Sequence, residues 1–215
     1  MDASGFVREL EDLKDERLRA MVAGGAPAAP TGEGQVRLLQ VALANEIAVS
    51  ELAAAWMPVT PEVDIKIALA LQAGDEARHF QLVADRLQGL GFDPAGFAPP
   101  ATNPLFDYLR GLPGSVERVA AGLFTLESIA YGVNEQFMQL CEARGDRDTL
   151  RLYREFIQPD ERAHQRLGAD LLRTHATTAD LQAGARAAVL KTIEIASALR
   201  AAAAARLGTA CFPGC

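Results

Sequence analysis

Residues 75–79 of the chain read DEARH, and residues 160–164 read DERAH. Both stretches lie inside long segments in which apolar side chains recur at helical spacing. In each, a glutamate precedes a histidine by three residues, so the two side chains project from one face of a helix. With only three histidines in the chain, a chance repeat has a probability on the order of 1–2%. We interpret the two stretches as metal-binding pairs.

Two more glutamates, Glu46 and Glu127, lie in the middle of segments that are otherwise apolar or small. A single mid-helix glutamate is usually a partly exposed surface residue, as we expect for Glu51. A buried carboxylate, in contrast, is costly unless it is paired or binds a metal. The order along the chain is Glu, Glu-x-x-His, Glu, Glu-x-x-His, which predicts two helix-loop-helix halves that share one site.

Apolar periodicity and turn residues predict an all-α fold in a single domain, residues 1–215. Four long core helices fill about 34–175, and flanking helices cover about 4–22 and 178–207. No stretch shows strand-like alternation bounded by turn signals. The Pro-rich segment FDPAGFAPPATNP, residues 92–104, is long enough to carry the chain from one end of a bundle to the other. We expect a four-helix bundle with one crossover between its second and third helices.

The composition is that of a soluble globular protein, with 49% hydrophobic and 23% charged residues. The net charge of −7 argues against a nucleic-acid partner. The charged N-terminus lacks the apolar core of a secretory signal, and no apolar run approaches the roughly 18 residues of a membrane span. We therefore expect a cytoplasmic protein with no membrane association, and the three cysteines suggest no disulfide framework.

The pattern of glutamates and histidines resembles the ligand set of the ferritin-like di-iron and di-manganese carboxylate proteins. In that family two helices each supply a Glu and two others each supply a Glu-x-x-His. The resemblance covers about residues 34–175 and implies a ferritin-like four-helix bundle. It implies two Fe ions, with Mn or a mixed Fe/Mn pair as alternatives. The metal ligands implied are Glu46, Glu76, His79, Glu127, Glu161 and His164.

The aspartate that precedes each Glu-x-x-His pair extends the resemblance. In bacterial multicomponent monooxygenases and the ribonucleotide reductase small subunit, a similar Asp-Glu-x-Arg-His stretch has its Asp hydrogen-bonded to a ligand His. Residues 75–79 match that stretch at every fixed position, whereas residues 160–164 exchange the Arg and x positions. From pseudo-symmetry we expect Asp75 to hold His164 and Asp160 to hold His79, which would fix the tautomer of each ring.

Tyr131 lies four residues after Glu127 and is a candidate catalytic residue. It would act as a redox-active phenol or as a hydrogen-bond donor to bound oxygen, and a packed tyrosine with a satisfied hydroxyl is the alternative. The positions four after each histidine hold Val83 and Gly168, so the radical-storing tyrosine of ribonucleotide reductase has no counterpart there. Gly168 would serve either close helix packing or space for a substrate.

The resemblance favours an enzyme, a non-haem di-iron oxygenase or oxidase of monooxygenase type acting on a small, apolar organic substrate. Dioxygen and an external reductase would be its partners, since no flavin, nicotinamide or iron–sulfur motif appears. The alternatives are a ferroxidase or peroxide-scavenging protein of rubrerythrin or ferritin type, and a helical interaction module with a degenerate site. A homodimer through the Ala-rich last helix is a further expectation.

The C-terminal residues hold two of the three cysteines, Cys211 and Cys215, on either side of a Phe-Pro-Gly turn. Such a turn could bring the two thiols together. A frayed tail without activity is the simpler prediction, because terminal residues are ordered only where packing holds them.

Overall fold

The computed structural model describes residues 1–22 and 33–214, and within these ranges every regular element is helical. The all-α prediction is therefore confirmed for the described part of the chain. Seven helices are formed: α1 Ala3–Val22, α2 Glu33–Trp56, α3 Val63–Gly89, α4 Pro104–Arg110, α5 residues 115–144, α6 residues 147–175 and α7 Ala179–Leu207.

Helices α5 and α6 each contain a π-helical segment. In α5 the segment Ala120–Leu126 separates Ser115–Val119 from Glu127–Arg144. In α6 the segment Tyr153–Ile157 separates Arg147–Leu152 from Gln158–His175. Such segments interrupt the regular helical register, and in proteins they are frequent at functional sites.

The break between α2 and α3 lies at residues 57–62. Thr60 and Pro61 have the residue types of an N-cap and a first helical position, but α3 begins at Val63 with Glu62 in extended conformation as its N-cap. The Thr60 hydroxyl instead donates to the carbonyl oxygen of Trp56 over 2.8 Å. Thr60 therefore closes the end of α2, and the prolines of this segment keep the two helices apart.

Two clusters of apolar side chains show how the helices run. The first cluster, at one end of the molecule, contains the C-terminal half of α2, the N-terminal half of α3 and the N-terminal half of α5. The second cluster contains the opposite halves of the same three helices, with the N-terminal part of α6. Helix α2 is therefore antiparallel to α3, whereas α3 and α5 run in the same direction.

The connection between α3 and α5 carries the chain from the second cluster back to the first. Phe92 and Phe97 pack against the second cluster. Leu105 and Phe106, at the start of α4, are buried in the first. The connection therefore spans the distance between the two clusters. Helices α1 and α7 pack outside α5 and α6.

The C-terminal tail is folded onto the bundle, so the expectation of a frayed tail is wrong up to Gly214. Cys211 and Phe212 are 3% and 2% exposed. The Arg200 guanidinium donates to the carbonyl oxygens of Gly214, Phe212 and Ala210 over 2.9, 3.1 and 3.2 Å. Its charge also lies 4.0 Å from the centre of the Phe212 ring. Cys215 lies outside the described residues, as does any pairing of its thiol.

One helical stretch of the described residues, Gly34–Val59, is long and apolar enough to cross a membrane by length and composition alone. Within its apolar window 56% of the residues are buried by the rest of the fold. The core helix of a soluble protein has these same properties, so a cytoplasmic location stays a prediction.

Candidate metal centre

All six predicted ligand residues converge in the middle of the bundle, between the two apolar clusters. Each is at least 96% buried. Their donor atoms form two groups, and within each group all donors lie within 4.8 Å of one another. The first group is Glu46, Glu76, His79 and Glu161, and the second is Glu76, Glu127, Glu161 and His164. Glu76 and Glu161 thus belong to both groups.

The carboxylate oxygens within 4 Å of His79 Nδ1 come from the first half of the chain, α2 and α3. His79 Nδ1 lies 3.3 Å from Glu76 Oε2 and 3.6 Å from Glu46 Oε2. The three-residue spacing of Glu76 and His79 along α3 produces the shorter distance, as the sequence predicts. Glu46 reaches the same ring because α2 and α3 pack along their lengths.

Around His164, the donors come from both halves. His164 Nδ1 lies 3.3 Å from Glu76 Oε1 and 3.8 Å from Glu127 Oε2. The two oxygens of Glu76 therefore face different histidines, one on its own helix and one on α6. A carboxylate in this position can bridge two ions.

Each histidine is held from behind by an aspartate of the other half. His79 Nε2 lies 3.1 Å from Asp160 Oδ2, and His164 Nε2 lies 3.1 Å from Asp75 Oδ2. This is the crossed pairing expected from the sequence. An Nε2–H that donates to a carboxylate leaves the Nδ1 lone pair free for a metal, so both rings face the cluster with a ligating atom.

The two aspartates differ in their surroundings. Asp160 is 28% exposed and lies 3.8 Å from the Arg78 guanidinium, which itself lies 6.0 Å from the centre of the Phe156 ring. Asp75 is 39% exposed, and no arginine of the described residues forms an ion pair with it. The exchange of Arg and x in residues 160–164 therefore leaves Asp75 without the arginine contact that Asp160 has.

Burial and mutual charge shift the pKa values of the cluster. Burial raises the pKa of Glu46 to about 8, and the nearby Glu76 carboxylate adds to the increase. For His79 burial lowers the pKa, but the carboxylates of Glu46 and Glu76 outweigh it and raise the pKa to about 11. His164 is raised to the same pKa of about 11 by Glu127 and Glu76, against burial.

The two shared carboxylates have opposite shifts. Burial opposes ionisation of Glu76, but hydrogen bonds with His164 and His79 outweigh it and lower its pKa below the ordinary value. Burial, together with the neighbouring charge of Glu127, raises the pKa of Glu161 well above its ordinary value. Without a metal, several of these groups therefore hold protons, and a bound cation has to displace them.

The donor set fits a pair of divalent metal ions. Glu161 Oε2 is buried and has no hydrogen-bond partner, which is costly for a polar atom unless something else satisfies it. Four carboxylates and two neutral imidazoles would balance the four positive charges of two divalent ions. Carboxylate and imidazole donors suit Fe and Mn but do not select between them.

Gln72 also contacts the site, although the pattern of glutamates and histidines does not indicate it. It lies one turn before Glu76 on α3, is 1% exposed, and its amide donates to Glu127 Oε1. The four-residue spacing from Glu76 is the signal that could have identified it. Its role is to fix the Glu127 carboxylate from across the bundle.

Tyr153, and not Tyr131, is the fully buried tyrosine beside the cluster. Its ring packs edge-on against Phe137 with centroids 5.0 Å apart, and its hydroxyl has no hydrogen-bond partner. Burial, with the charges of Glu46, Cys141 and Glu161 nearby, raises the pKa of Tyr153 well above its ordinary value. Tyr131 is only partly buried, and its catalytic role stays a prediction.

The π-helical segment explains why regular periodicity misses Tyr153. Eight residues separate it from Glu161, which on a regular helix is about 80° away from the same face. A π turn contains about one more residue than an α-helical turn, so the rotation between Tyr153 and Glu161 is smaller by about 100°, the rotation of one residue. The two side chains therefore come to lie on one side of α6. Sequence periodicity alone gives no signal for that insertion.

Lys14 of α1 approaches the site from outside the bundle. Its ammonium group donates to the Oγ atom of Ser128, the residue directly after Glu127, over 2.8 Å. The same ammonium group lies 4.5 Å from the centre of the Phe124 ring. Burial lowers the pKa of Lys14.

Gly168 serves close packing, since a Cβ there would lie 2.6 Å from the backbone nitrogen of Phe124.

Comparison with known proteins gives no further assignment: no protein-family model and no curated protein matches the chain. The function is therefore inferred from the site itself.

Proposed function

We propose that the chain is a ferritin-like di-metal oxidoreductase that uses dioxygen to oxidise or hydroxylate a small apolar substrate. The observation that carries the proposal is the pair of overlapping donor groups, which share Glu76 and Glu161. Isolated buried carboxylates would have no reason to lie this close together, because their mutual repulsion adds to the cost of burial.

The course of the chain supports the ferritin-like part of the proposal. Helices α2 and α3 are antiparallel, and the connection that follows returns to the first apolar cluster. One long crossover of this kind distinguishes ferritin-like bundles from up-and-down bundles with short loops throughout. The ligand order Glu, Glu-x-x-His, Glu, Glu-x-x-His then falls on the four central helices.

A pair of iron or manganese ions held by these six residues would supply the redox chemistry that couples dioxygen reduction to substrate oxidation. Asp75 and Asp160 would keep each histidine in the tautomer that ligates through Nδ1. The protonated Glu46 and Glu161 would give up their protons when cations bind. The apolar clusters on both sides would exclude water from the centre.

The proposed substrate and partners follow from these surroundings. Apolar side chains border the centre on both sides, so an apolar organic molecule would match these surroundings better than a charged one. An oxygenase of this type also needs electrons, and we assign their supply to a separate reductase.

Metal analysis and oxygen consumption test the proposal together. The purified protein should contain about two iron or manganese ions per chain, and its reduced form should consume dioxygen. Glu76→Ala and Glu161→Ala should abolish both. Glu51→Ala, an exposed glutamate on α2, is the matched control and should change neither. A protein that binds no transition metal after reconstitution would contradict the proposal.

A ferroxidase or peroxide-scavenging function is the second candidate. It is favoured by the partly exposed carboxylates of Asp75 and Asp160, which lie between the histidines and the solvent and would attract ferrous ions. The same preparation separates the two functions. Rapid oxidation of excess ferrous iron or turnover of hydrogen peroxide, with no stimulation by apolar substrates, would assign the chain to this alternative.

A further inference from the structure

A large groove lies between α2, the connection at residues 97–104 and the C-terminal end of α7. Its volume is about 820 Å³, within the range of roughly 300–1,000 Å³ that is typical of small-molecule sites. Apolar side chains from all three elements line it, including Val41, Ala48, Phe97, Phe106 and Leu199. None of the six candidate metal ligands lines this groove.

The groove is separate from the metal centre. Ala44 and Ala48 line it, and each lies two residues from Glu46 in sequence. Two residues on an α-helix correspond to a rotation of about 200°, so both alanines point away from the side that carries Glu46. The groove and the metal centre thus occupy opposite faces of α2.

The charge of the groove is opposite to that of the whole chain. Its lining contains four arginines and one carboxylate, Glu51, whereas the chain has a net charge of −7. Two of the arginines are already engaged, since Arg200 holds the C-terminal tail and Arg110 lies 3.3 Å from Asp107. No carboxylate whose side chain the structure describes forms an ion pair with the other two, Arg37 and Arg206.

These two arginines lie at one end of the groove. Arg37 is flanked by Val36 and Leu38, and Arg206 is followed by Leu207. All three neighbours contact the second apolar cluster. Phe106, at the other end of the groove, belongs to the first cluster. The groove is therefore apolar along its length and has two exposed guanidinium groups at one end.

The walls of the groove are held in place before any ligand arrives. The connection contributes Pro99, Pro100 and Pro104, whose ring-fixed backbones lose little entropy when a ligand binds. Asn103 caps α4 by accepting from the backbone N–H of Leu105 over 3.0 Å. On the opposite side, Arg200 locks the tail that carries Phe212.

We propose that this groove binds an aliphatic carboxylate of medium or long chain, with its head on Arg37 and Arg206 and its chain along the floor toward Phe106. Guanidinium groups bind carboxylates through paired hydrogen bonds, and exposed guanidinium groups at an apolar site select an anionic head. Glu51 disfavours a second anionic group in the groove. The assignment does not depend on the metal centre or on the proposed oxidoreductase function.

Titration calorimetry of the purified protein with decanoate tests the proposal. Four matched ligands separate the contributions: acetate lacks the chain, decanol lacks the charge, decyltrimethylammonium reverses it, and decyl phosphate replaces the carboxylate by a phospholipid-like head. We expect about one decanoate per chain, and binding at least tenfold weaker for each of the other four.

Variants then assign the binding to the groove. Arg37→Gln with Arg206→Gln should weaken decanoate binding at least tenfold. The double variant Arg8→Gln with Arg17→Gln, which removes the same charge from exposed positions outside the groove, should leave binding unchanged. Ala48→Trp should abolish binding by filling the floor, and circular dichroism checks that each variant is folded.

Several results would overturn the proposal. The first is that decanoate does not bind at all, and the second is that decanol binds as tightly as decanoate. The others are that decyl phosphate binds more tightly than decanoate, or that folded Ala48→Trp protein binds decanoate with unchanged affinity. Each outcome is independent of metal content, so failure here is distinguishable from failure of the proposed oxidoreductase function.

Discussion

The two halves of the bundle carry the same ligand pattern in different helices. The first half, α2 and α3, presents Glu46, Glu76 and His79 from uninterrupted α-helix. In the second half, α5 and α6, π-helical segments end directly before Glu127 and four residues before Glu161. The same set of side chains is thus placed by regular geometry in one half and by inserted turns in the other.

The surroundings of the two histidines differ as well. His79 is completely buried, and the aspartate behind it is paired with Arg78. The side chain of His164 is 5% exposed, and the aspartate behind it is 39% exposed. Gln72 and Lys14 reach the Glu127 region from other helices. The repeat in sequence therefore produces two candidate metal positions that are not equivalent.

Removal of a shared carboxylate should have the largest effect, because it affects both halves. Glu161→Ala takes a donor from both groups, so we expect nearly complete loss of metal. Glu127→Ala takes a donor from one group only and should retain about one ion per chain. Elemental analysis after dialysis measures both, with Glu51→Ala as the control. Full metal retention by Glu161→Ala would contradict the assignment of Glu161 to both donor groups.

The protons held by the metal-free site should make its stability fall as pH rises from about 5 to about 9. Glu46 has a pKa of about 8 in the folded protein and 4.5 as its ordinary value. Its stabilisation is complete below pH 4.5 and is lost as pH rises through 8. His79 and His164, raised from 6.5 to a pKa of about 11, lose theirs above pH 6.5 and act in the same direction.

Thermal unfolding of chelator-treated protein across this pH range measures the effect. Each group contributes at most about 1.4 kcal/mol per pH unit within its own window. Glu46→Gln should reduce the slope between pH 5 and 8, and Glu51→Gln should not. Metal-loaded protein should show the opposite trend, because binding releases these protons. Stability of the metal-free protein that rises with pH would contradict the assignment.

Substitution of the two aspartates should affect metal affinity unequally, because the surroundings of the two histidines differ. Asp160→Asn should lower metal affinity by about 10- to 100-fold. Asp75→Asn should have a smaller effect, because water can replace part of the contact at this more exposed position. Chelator competition measures both affinities. Asp85→Asn, on the exposed side of α3, serves as the control, and a larger effect for Asp75→Asn would reverse the proposed order.

Tyr153→Phe should have the smallest effect on stability. Its hydroxyl has no hydrogen-bond partner in the fold, so its removal should change the free energy of unfolding by less than about 1 kcal/mol. Urea unfolding of the metal-free protein measures the change, with Tyr131→Phe as the comparison. A loss above about 2 kcal/mol would show that the Tyr153 hydroxyl connects the two halves through a hydrogen bond.

Much of the fold follows from the sequence, because helical periodicity and Pro- or Gly-rich breaks are local signals. The positions of α2, α3, α5 and α6 follow from apolar periodicity, and the convergence of the six ligand candidates follows from their spacing along these helices. The crossed contacts of Asp75 and Asp160 follow from the repeat. Local spacing suffices here because each motif lies on one face of one helix.

Features that depend on packing between distant segments could not be predicted in this way. The π-helical segment at Tyr153–Ile157 changes the face on which Tyr153 lies, and no residue type marks it. The tail is ordered because Arg200, ten or more residues away, binds its carbonyl oxygens. The groove beside Arg37 and Arg206 arises only when α2, α7 and the crossover meet.

Anomalous X-ray scattering from crystals of the iron- or manganese-loaded protein would locate the metal ions directly. We expect two peaks about 3 to 4 Å apart. One should lie among Glu46, Glu76, His79 and Glu161, and the other among Glu76, Glu127, Glu161 and His164. A single peak, or peaks that do not share Glu76 and Glu161, would contradict the proposed di-metal centre.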